Sequence, residues 1–255
     1  MAGFQVPDIE KFEKAITDKT KAILVCNPGN PTGTQYSKES MLALGEIARK
    51  HDLFLLSDEV YREFCYTDEP HFSAMNIPGL EQNVVLIDSV SKRYNLCGAR
   101  IGCIISHNKD VMAAAMKFAQ ARLCPPVIGQ IASIGALDTP DEYFDAVKEE
   151  YIKRRDFMIE GLNKMEGVFT PVPMGAFYTI AELPVDDTEN FSRWMLETFR
   201  IDNETTMVTP AASFYKTPGK GNNHARIAYV LEIDEMKKAL HILEEGLKAY
   251  PGRTL

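Results

Sequence analysis

Three short apolar runs, Ala22-Ile23-Leu24-Val25, Leu53-Phe54-Leu55-Leu56 and Val84-Val85-Leu86-Ile87, each stop abruptly at a polar segment. Continuous rather than alternating apolar runs belong to strands buried between layers, the pattern of a parallel sheet. Between the first two lies a helical stretch with Met41, Leu44 and Ala48 on one face, Ile47 beside them and Ser37 in front as N-cap. Strand, helix, strand is the βαβ unit. A fourth run, Ile101-Gly102-Cys103-Ile104-Ile105-Ser106, follows closely enough to be expected as an antiparallel neighbour, giving a sheet of at least four strands. Open sheets of this kind collect ligands beyond the carboxyl ends of their strands, so the residues that follow each run matter most.

After the first run comes Asn27-Pro28-Gly29-Asn30-Pro31-Thr32-Gly33. Its prolines and glycines cannot continue a strand and set Asn30 in a rigid loop, although an ordinary tight turn accounts for the same residues. After the second comes Ser57-Asp58-Glu59-Val60-Tyr61, whose Asp58 and Tyr61 reach one crevice if a helical turn follows. Taken alone, Asp58 reads equally as a helix N-cap and Tyr61 as core packing. After the third come Ser89-Val90-Ser91-Lys92 and, eight residues beyond the lysine, Arg100. A lysine at a strand's carboxyl end can attack a carbonyl as a Schiff-base nucleophile, and two hydroxyls with a guanidinium fork suit a phosphate. An isolated lysine is more often a solvated surface residue.

The rest of the chain reads as scaffold. Ile9, Phe12 and Ile16 mark a short amphipathic helix over 9–16. Alanine-rich helical stretches at 109–121 and 127–137, broken by Cys124-Pro125-Pro126, are expected as packing elements. A long charged amphipathic stretch at 141–163 is suited to bridging two domains, so the boundary is placed inside it, giving 1–147 and 148–255. Beyond it, strands at 175–180 and 226–230 and helices at 188–199 and 233–249 form a smaller α+β unit. The fold class is therefore α/β, a mostly parallel sheet in a large domain followed by a smaller C-terminal α+β domain. Arg226, at the expected start of a strand, would by itself be solvent-facing.

At 255 residues and 45% hydrophobic content the chain has the composition of a globular protein. A net charge of −8 argues against nucleic acid and anionic membranes as general partners. No run approaches a membrane span, and the N-terminus lacks the basic and apolar regions of a signal peptide, so a cytoplasmic protein is expected. Five cysteines without a C-x-x-C pair, Cys26, Cys65, Cys97, Cys103 and Cys124, are expected as reduced core thiols. The scattered histidines offer no metal-ligand spacing.

Ser-x-Ser-Lys followed by Gly-x-Arg-x-Gly resembles the cofactor-lysine segment of the class I/II aminotransferases, pyridoxal-phosphate enzymes of the aspartate aminotransferase fold. The Asn27 to Gly33 loop, Ser57-Asp58-Glu59-Val60-Tyr61 and His224-Ala225-Arg226-Ile227-Ala228-Tyr229 resemble further segments of that family in the same order. The resemblance implies pyridoxal 5'-phosphate held as a Schiff base by Lys92, which then moves the substrate's α-proton. Burial and the Arg100 cation are expected to favour the neutral lysine this requires. By the same resemblance Asp58 pairs the pyridinium nitrogen, and Asn30 and Tyr61 meet the phenolic oxygen. Ser89, Ser91 and Arg100 hold the phosphate, Arg226 clamps the substrate's α-carboxylate, and Asn30 also belongs to the substrate-binding residues. It also implies a homodimer acting on an amino acid and a 2-oxo acid.

Two departures stand out. Ala211 occupies a place where relatives carry glycine, a substitution that strains any positive φ. The family's opening portion, on the order of 100 residues or more, has no counterpart here, and with it go a glycine-rich phosphate loop and the aromatic residue that stacks on the cofactor ring. The chain is accordingly expected to be an N-terminally truncated aminotransferase. A β-lyase or decarboxylase on the same scaffold, or a catalytically incomplete fragment, are the alternatives.

Overall fold

A computed structural model describes residues 4–255; residues 1–3, the start of the N-terminal segment read above, lie outside them. In chain order the elements are α1 (Ile9–Lys14), β1 (Ala22–Cys26), α2 (Lys38–Lys50), β2 (Phe54–Asp58), β3 (Val84–Ser89), α3 (Val90–Arg93) and β4 (Gly102–Ile105). Three helices follow, α4 (Lys109–Arg122), α5 (Val127–Ala136) and α6 (Asp141–Lys164), and then β5 (Tyr178–Glu182), α7 (Thr188–Glu197), β6 (Thr209–Pro210), β7 (His224–Ala228) and α8 (Ile233–Ala249).

The first sheet has the order β1-β2-β3-β4. β1, β2 and β3 are parallel, with Cys26 opposite Asp58 and Asp58 opposite Ile87, so their carboxyl ends share one edge. β4 returns antiparallel to β3, as its short connection predicts. The Ser37 hydroxyl caps α2 by accepting the Ser40 amide at 3.1 Å. The apolar face of α2 packs on Ile23, Val25 and Leu55, with Met41, Leu44, Ile47 and Ala48 all buried.

A second core gathers α6, α7, α8, β5 and β7 around Tyr229, Phe191 and Leu162, in an antiparallel sheet ordered β5-β7-β6. Tyr61 and Phe64, from the turn after β2, are buried in this second core. α6 touches both regions: Phe144 meets Tyr94 with ring centroids 5.8 Å apart, while Met158 and Leu162 belong to the second core. Residues beyond the first sheet's carboxyl edge are thereby pressed against the C-terminal elements.

Several expectations are corrected. α4 and α5 start and stop close to where their sequence predicts, on either side of the two prolines, but they are not packing elements in this chain: α4 has no buried residue and α5 buries only Gly129. Helical periodicity identifies an apolar face without identifying what covers it. Leu24, in a run read as fully buried, is 67% exposed on the face of β1 opposite α2. Of the five cysteines only Cys65 is buried; Cys97, Cys103 and Cys124 are exposed, on or beside the same uncovered elements.

β5 begins three residues later than predicted. Ala176 takes φ 57 in a turn, which keeps Gly175-Ala176-Phe177 out of the strand. Arg226 lies in the middle of β7 rather than at its start. Ala211 shows no strain, since its φ is −106 and alanine fits without positive φ.

Candidate active site

The three parallel strands deliver their chemistry to one edge. β1 runs into the loop that carries Asn30, and Gly33 at its end adopts φ +68. A Cβ on Gly33 would stand 2.5 Å from the Cβ of Pro173, and its carbonyl accepts the amides of Met174 and Gly175 at 2.8 and 2.9 Å. This close approach draws the 173–178 segment over the loop and brings Phe177 and Tyr178 to the strand edge.

β2 ends at Asp58, whose carboxylate accepts the Val60 amide at 3.2 Å. A turn rather than a helix follows, with the Arg62 amide on the Glu59 carbonyl at 3.0 Å, and it carries Tyr61 to the site. The Tyr61 ring packs edge-on to Phe177 at 5.1 Å and to Tyr178 at 6.0 Å. Burial first, then a hydrogen bond with Tyr178, push the Tyr61 phenol up, while a hydrogen bond with Asn30 opposes the shift. The Cys26 thiol beside this group is pushed up to about 11 by burial, which makes it an inert packing thiol.

β3 passes directly into α3, whose N-cap is Ser89. The Ser89 hydroxyl lies 2.7 Å from that of Ser91 and 2.8 Å from the carbonyl of Ile101, so both serines are fixed. Lys92 follows on the single turn of α3, half-buried, with Nζ 5.4 Å from the centre of the Phe177 ring and 5.9 Å from that of Tyr61. The turn is braced from below. Arg93 donates to Asp88 at 2.9 Å and lies 3.0 Å from Glu63, while Arg62 lies 3.3 Å from Asp88. Burial raises the Asp88 carboxyl, with the Ser89 amide and Arg62 opposing.

From the second sheet, Arg226 reaches across to Asn30 and donates to its Oδ1 at 3.2 Å, joining residues 196 apart in sequence. Its guanidinium lies 4.9 Å from the centre of the Tyr178 ring and 5.4 Å from that of Phe214. Aromatic faces attract a cation and leave its N–H edge free to donate.

Asn30, Tyr61, Lys92 and Arg226 therefore form one constellation, with Asp58 at the strand end behind it. Ser89, Ser91 and Arg100 lie along a cavity of about 1170 Å³ between β4 and α4. Arg100 is exposed, in a left-handed conformation at φ 56, and donates to the Cys97 carbonyl at 3.0 Å. Phe177, Tyr178 and Phe214 are the site residues that sequence reasoning missed. The aromatic pair Phe177-Tyr178, just after Gly175-Ala176, was the available signal, obscured because the segment reads as a plain strand.

The donor set suits a phosphorylated aromatic aldehyde: an amine for the aldehyde carbon, a carboxylate for a ring cation, amide and phenol groups for a ring oxygen, and hydroxyls with a guanidinium for phosphate. Among the described residues no group of three or more histidine, cysteine, aspartate or glutamate side chains could hold a metal ion. No helix among them is long and apolar enough to cross a membrane.

Comparison with known proteins matches residues 3–243 to the family profile of aminotransferase class I and II. Aspartate aminotransferase of Rhizobium meliloti is 32% identical over 248 residues, a match covering 94% of this chain and 59% of that protein. Aspartate/prephenate aminotransferase of Thermus thermophilus is 31% identical over 242 residues, covering 93% and 59%. The solved structure of Thermus thermophilus aspartate aminotransferase with maleate superposes with a TM-score of 0.83 at 30% identity, covering 95% of this chain and 61% of that one. The chain thus spans about 60% of the length of the relatives it matches.

Proposed function

The chain belongs to the class I and II aminotransferases, a pyridoxal-phosphate-dependent family, and from that premise we propose that it carries the lysine, pyridinium and carboxylate sites of an aminotransferase moving an amino group between an amino acid and a 2-oxo acid. The observation that carries the reading is the meeting of Arg226 and Asn30 within the constellation of Lys92 and Tyr61.

When bound, pyridoxal phosphate supplies the electron-withdrawing ring that acidifies the α-C–H of an amino acid. Lys92 Nζ is the nucleophile that anchors it and the base that takes the α-proton. The Asp58 carboxylate would keep a proton on the ring nitrogen. Arg226 occupies Asn30 Oδ1, so Asn30 Nδ2 and the Tyr61 hydroxyl would be the groups that hold the ring oxygen. The hydroxyls of Ser89 and Ser91 would hold the phosphate, with Arg100 joining them if it left the Cys97 carbonyl. The Arg226 guanidinium receives the substrate's α-carboxylate through two parallel hydrogen bonds.

The reading includes a division at 147/148 within α6 into a cofactor domain and a smaller domain. It also includes a homodimer, supported by the bare apolar faces of α4 and α5, and a cytoplasmic location, supported by the exposed free thiols of Cys97, Cys103 and Cys124. The test is to add pyridoxal phosphate, trap with borohydride and locate the pyridoxyl group by mass spectrometry. Attachment at Lys92, absent in Lys92→Ala, and, in a parallel sample without borohydride, formation of a second amino acid from a 2-oxo acid, are the expected outcomes. An unmodified Lys92 overturns the reading.

A further inference from the structure

His224 and Arg226 lie two residues apart on β7 and face the same side of the sheet, while Ala225 and Ile227 point into the core. β6 pairs alongside with Thr209 opposite Arg226, and the Ala211 amide then closes onto the His224 carbonyl at 2.9 Å. One 3₁₀ turn, Ala212–Phe214, follows and lays the Phe214 ring over the Arg226 guanidinium. The next residue folds back to the strand. Tyr215 Oη meets His224 Nδ1 at 2.6 Å, with the two rings edge-on at 5.4 Å. Gly221, at φ +75, lies so close beneath the Tyr215 ring that a Cβ there would stand 2.3 Å from it, and its carbonyl accepts the His224 amide at 3.0 Å. The turn bearing Phe214 is therefore tied to β7 on both sides, by backbone at Ala211 and by side chains at Tyr215.

We propose that Tyr215 and His224 are positioning residues for the carboxylate clamp: their side-chain hydrogen bond holds the turn that carries Phe214, and Phe214 holds the Arg226 guanidinium ready for a substrate carboxylate. The inference rests on the reading of Arg226 given above. An arginine loses several rotatable bonds when it grips an anion, and one already held between aromatic rings and Asn30 has lost them before the anion arrives. Neither Tyr215 nor His224 touches the reacting atoms; both act through Phe214.

The experiment measures binding of 3-phenylpropionate, a plain monocarboxylate, to the full chain with pyridoxal phosphate by calorimetry, and KM and kcat for an amino donor beside it. Tyr215→Phe and His224→Leu are expected to weaken binding by about two- to tenfold, the effect of one side chain left to be ordered on binding. They raise KM by the same factor at unchanged kcat, and leave borohydride trapping at Lys92 as in wild type. His224→Asn, whose Oδ1 stands near the position of Nδ1, restores wild-type binding, and the double variant Tyr215→Phe/His224→Leu is no weaker than either single one. If Arg226→Ala loses the carboxylate while Tyr215→Phe and His224→Leu keep it, the positioning role is overturned and the clamp survives. If Arg226→Ala binds as wild type does, or wild type binds no carboxylate, the clamp itself is overturned and the positioning role with it. Tyr215→Phe, which deletes one oxygen, decides between these outcomes should His224→Leu fail to fold.

Discussion

Glu59, one residue beyond Asp58, has no exposed surface. Its carboxylate accepts the Ser57 hydroxyl at 2.9 Å and the Ala74 amide at 2.8 Å, and meets His71 Nε2 at 2.9 Å. Burial pushes this carboxyl up, but the hydrogen bonds from His71 and Ala74 outweigh it and the net shift is downward. The unfolded chain then takes up the proton first on acidification. The stability Glu59 contributes is fully present above the ordinary glutamate value of about 4.3 and is lost as pH falls through the lower folded value. Glu59→Ala is expected to cost about 3–5 kcal/mol, read from urea denaturation at neutral pH, and Glu59→Gln should flatten the acid limb of stability against pH; an unchanged acid limb contradicts the assignment. The two adjacent carboxylates look alike as sequence. Strand parity separates them: Leu55, Ser57 and Glu59 are buried, whereas Leu56 and Asp58 are only half-buried, so alternation turns Asp58 alone towards the crevice. That distinction was available from the pattern around Ser57-Asp58-Glu59.

At the scale of elements, local signals worked where the cause is local. The Ser37 cap of α2 is one such case, and Ser37→Ala is expected to lower stability by about 1 kcal/mol, measured as a shift in denaturation midpoint with unchanged slope. A midpoint equal to wild type would mean that another group satisfies the Ser40 amide. The paired prolines at 125–126 separate α4 from α5 where the sequence says they should. Local reasoning failed at β5, because Ala176 adopts a conformation that alanine rarely takes and no residue preference announces it. It failed again at Arg226, which lies in mid-strand because β7 pairs with β5 back to His224 opposite Glu182, a long-range register that no local pattern carries. The aromatic rings around Arg226 and Lys92 are contributed by three separate segments, and only the assembled fold brings Tyr61, Phe177 and Phe214 together.

For the whole molecule, the dominant unexplained surface is apolar. Phe118 is 78% exposed, Ile128 83% and Ile131 65%, with Ile134 on the same pair of helices and Leu123 and Leu137 just past their ends. Patches of this kind mark association surfaces. Ile128→Lys with Ile131→Lys is expected to shift sedimentation towards the monomer and to leave the melting transition of the monomer unchanged, since neither side chain contributes to the core; identical sedimentation of variant and wild type removes α5 from the association surface. The parallel sheet and its ligand-binding edge were legible because each strand announces itself and its exit loop. The clamp residue Arg226 was named only through family resemblance, and its contact with Asn30 was not legible, because the two belong to opposite ends of the chain. Their separation of 196 residues also has a temporal meaning. A ribosome adds about 5–20 residues per second, so roughly 10–40 s elapse between the synthesis of Asn30 and that of Arg226. During that interval the lysine and its neighbours emerge without the guanidinium, and a nascent chain that met the cofactor early would still lack its grip on a substrate's carboxylate.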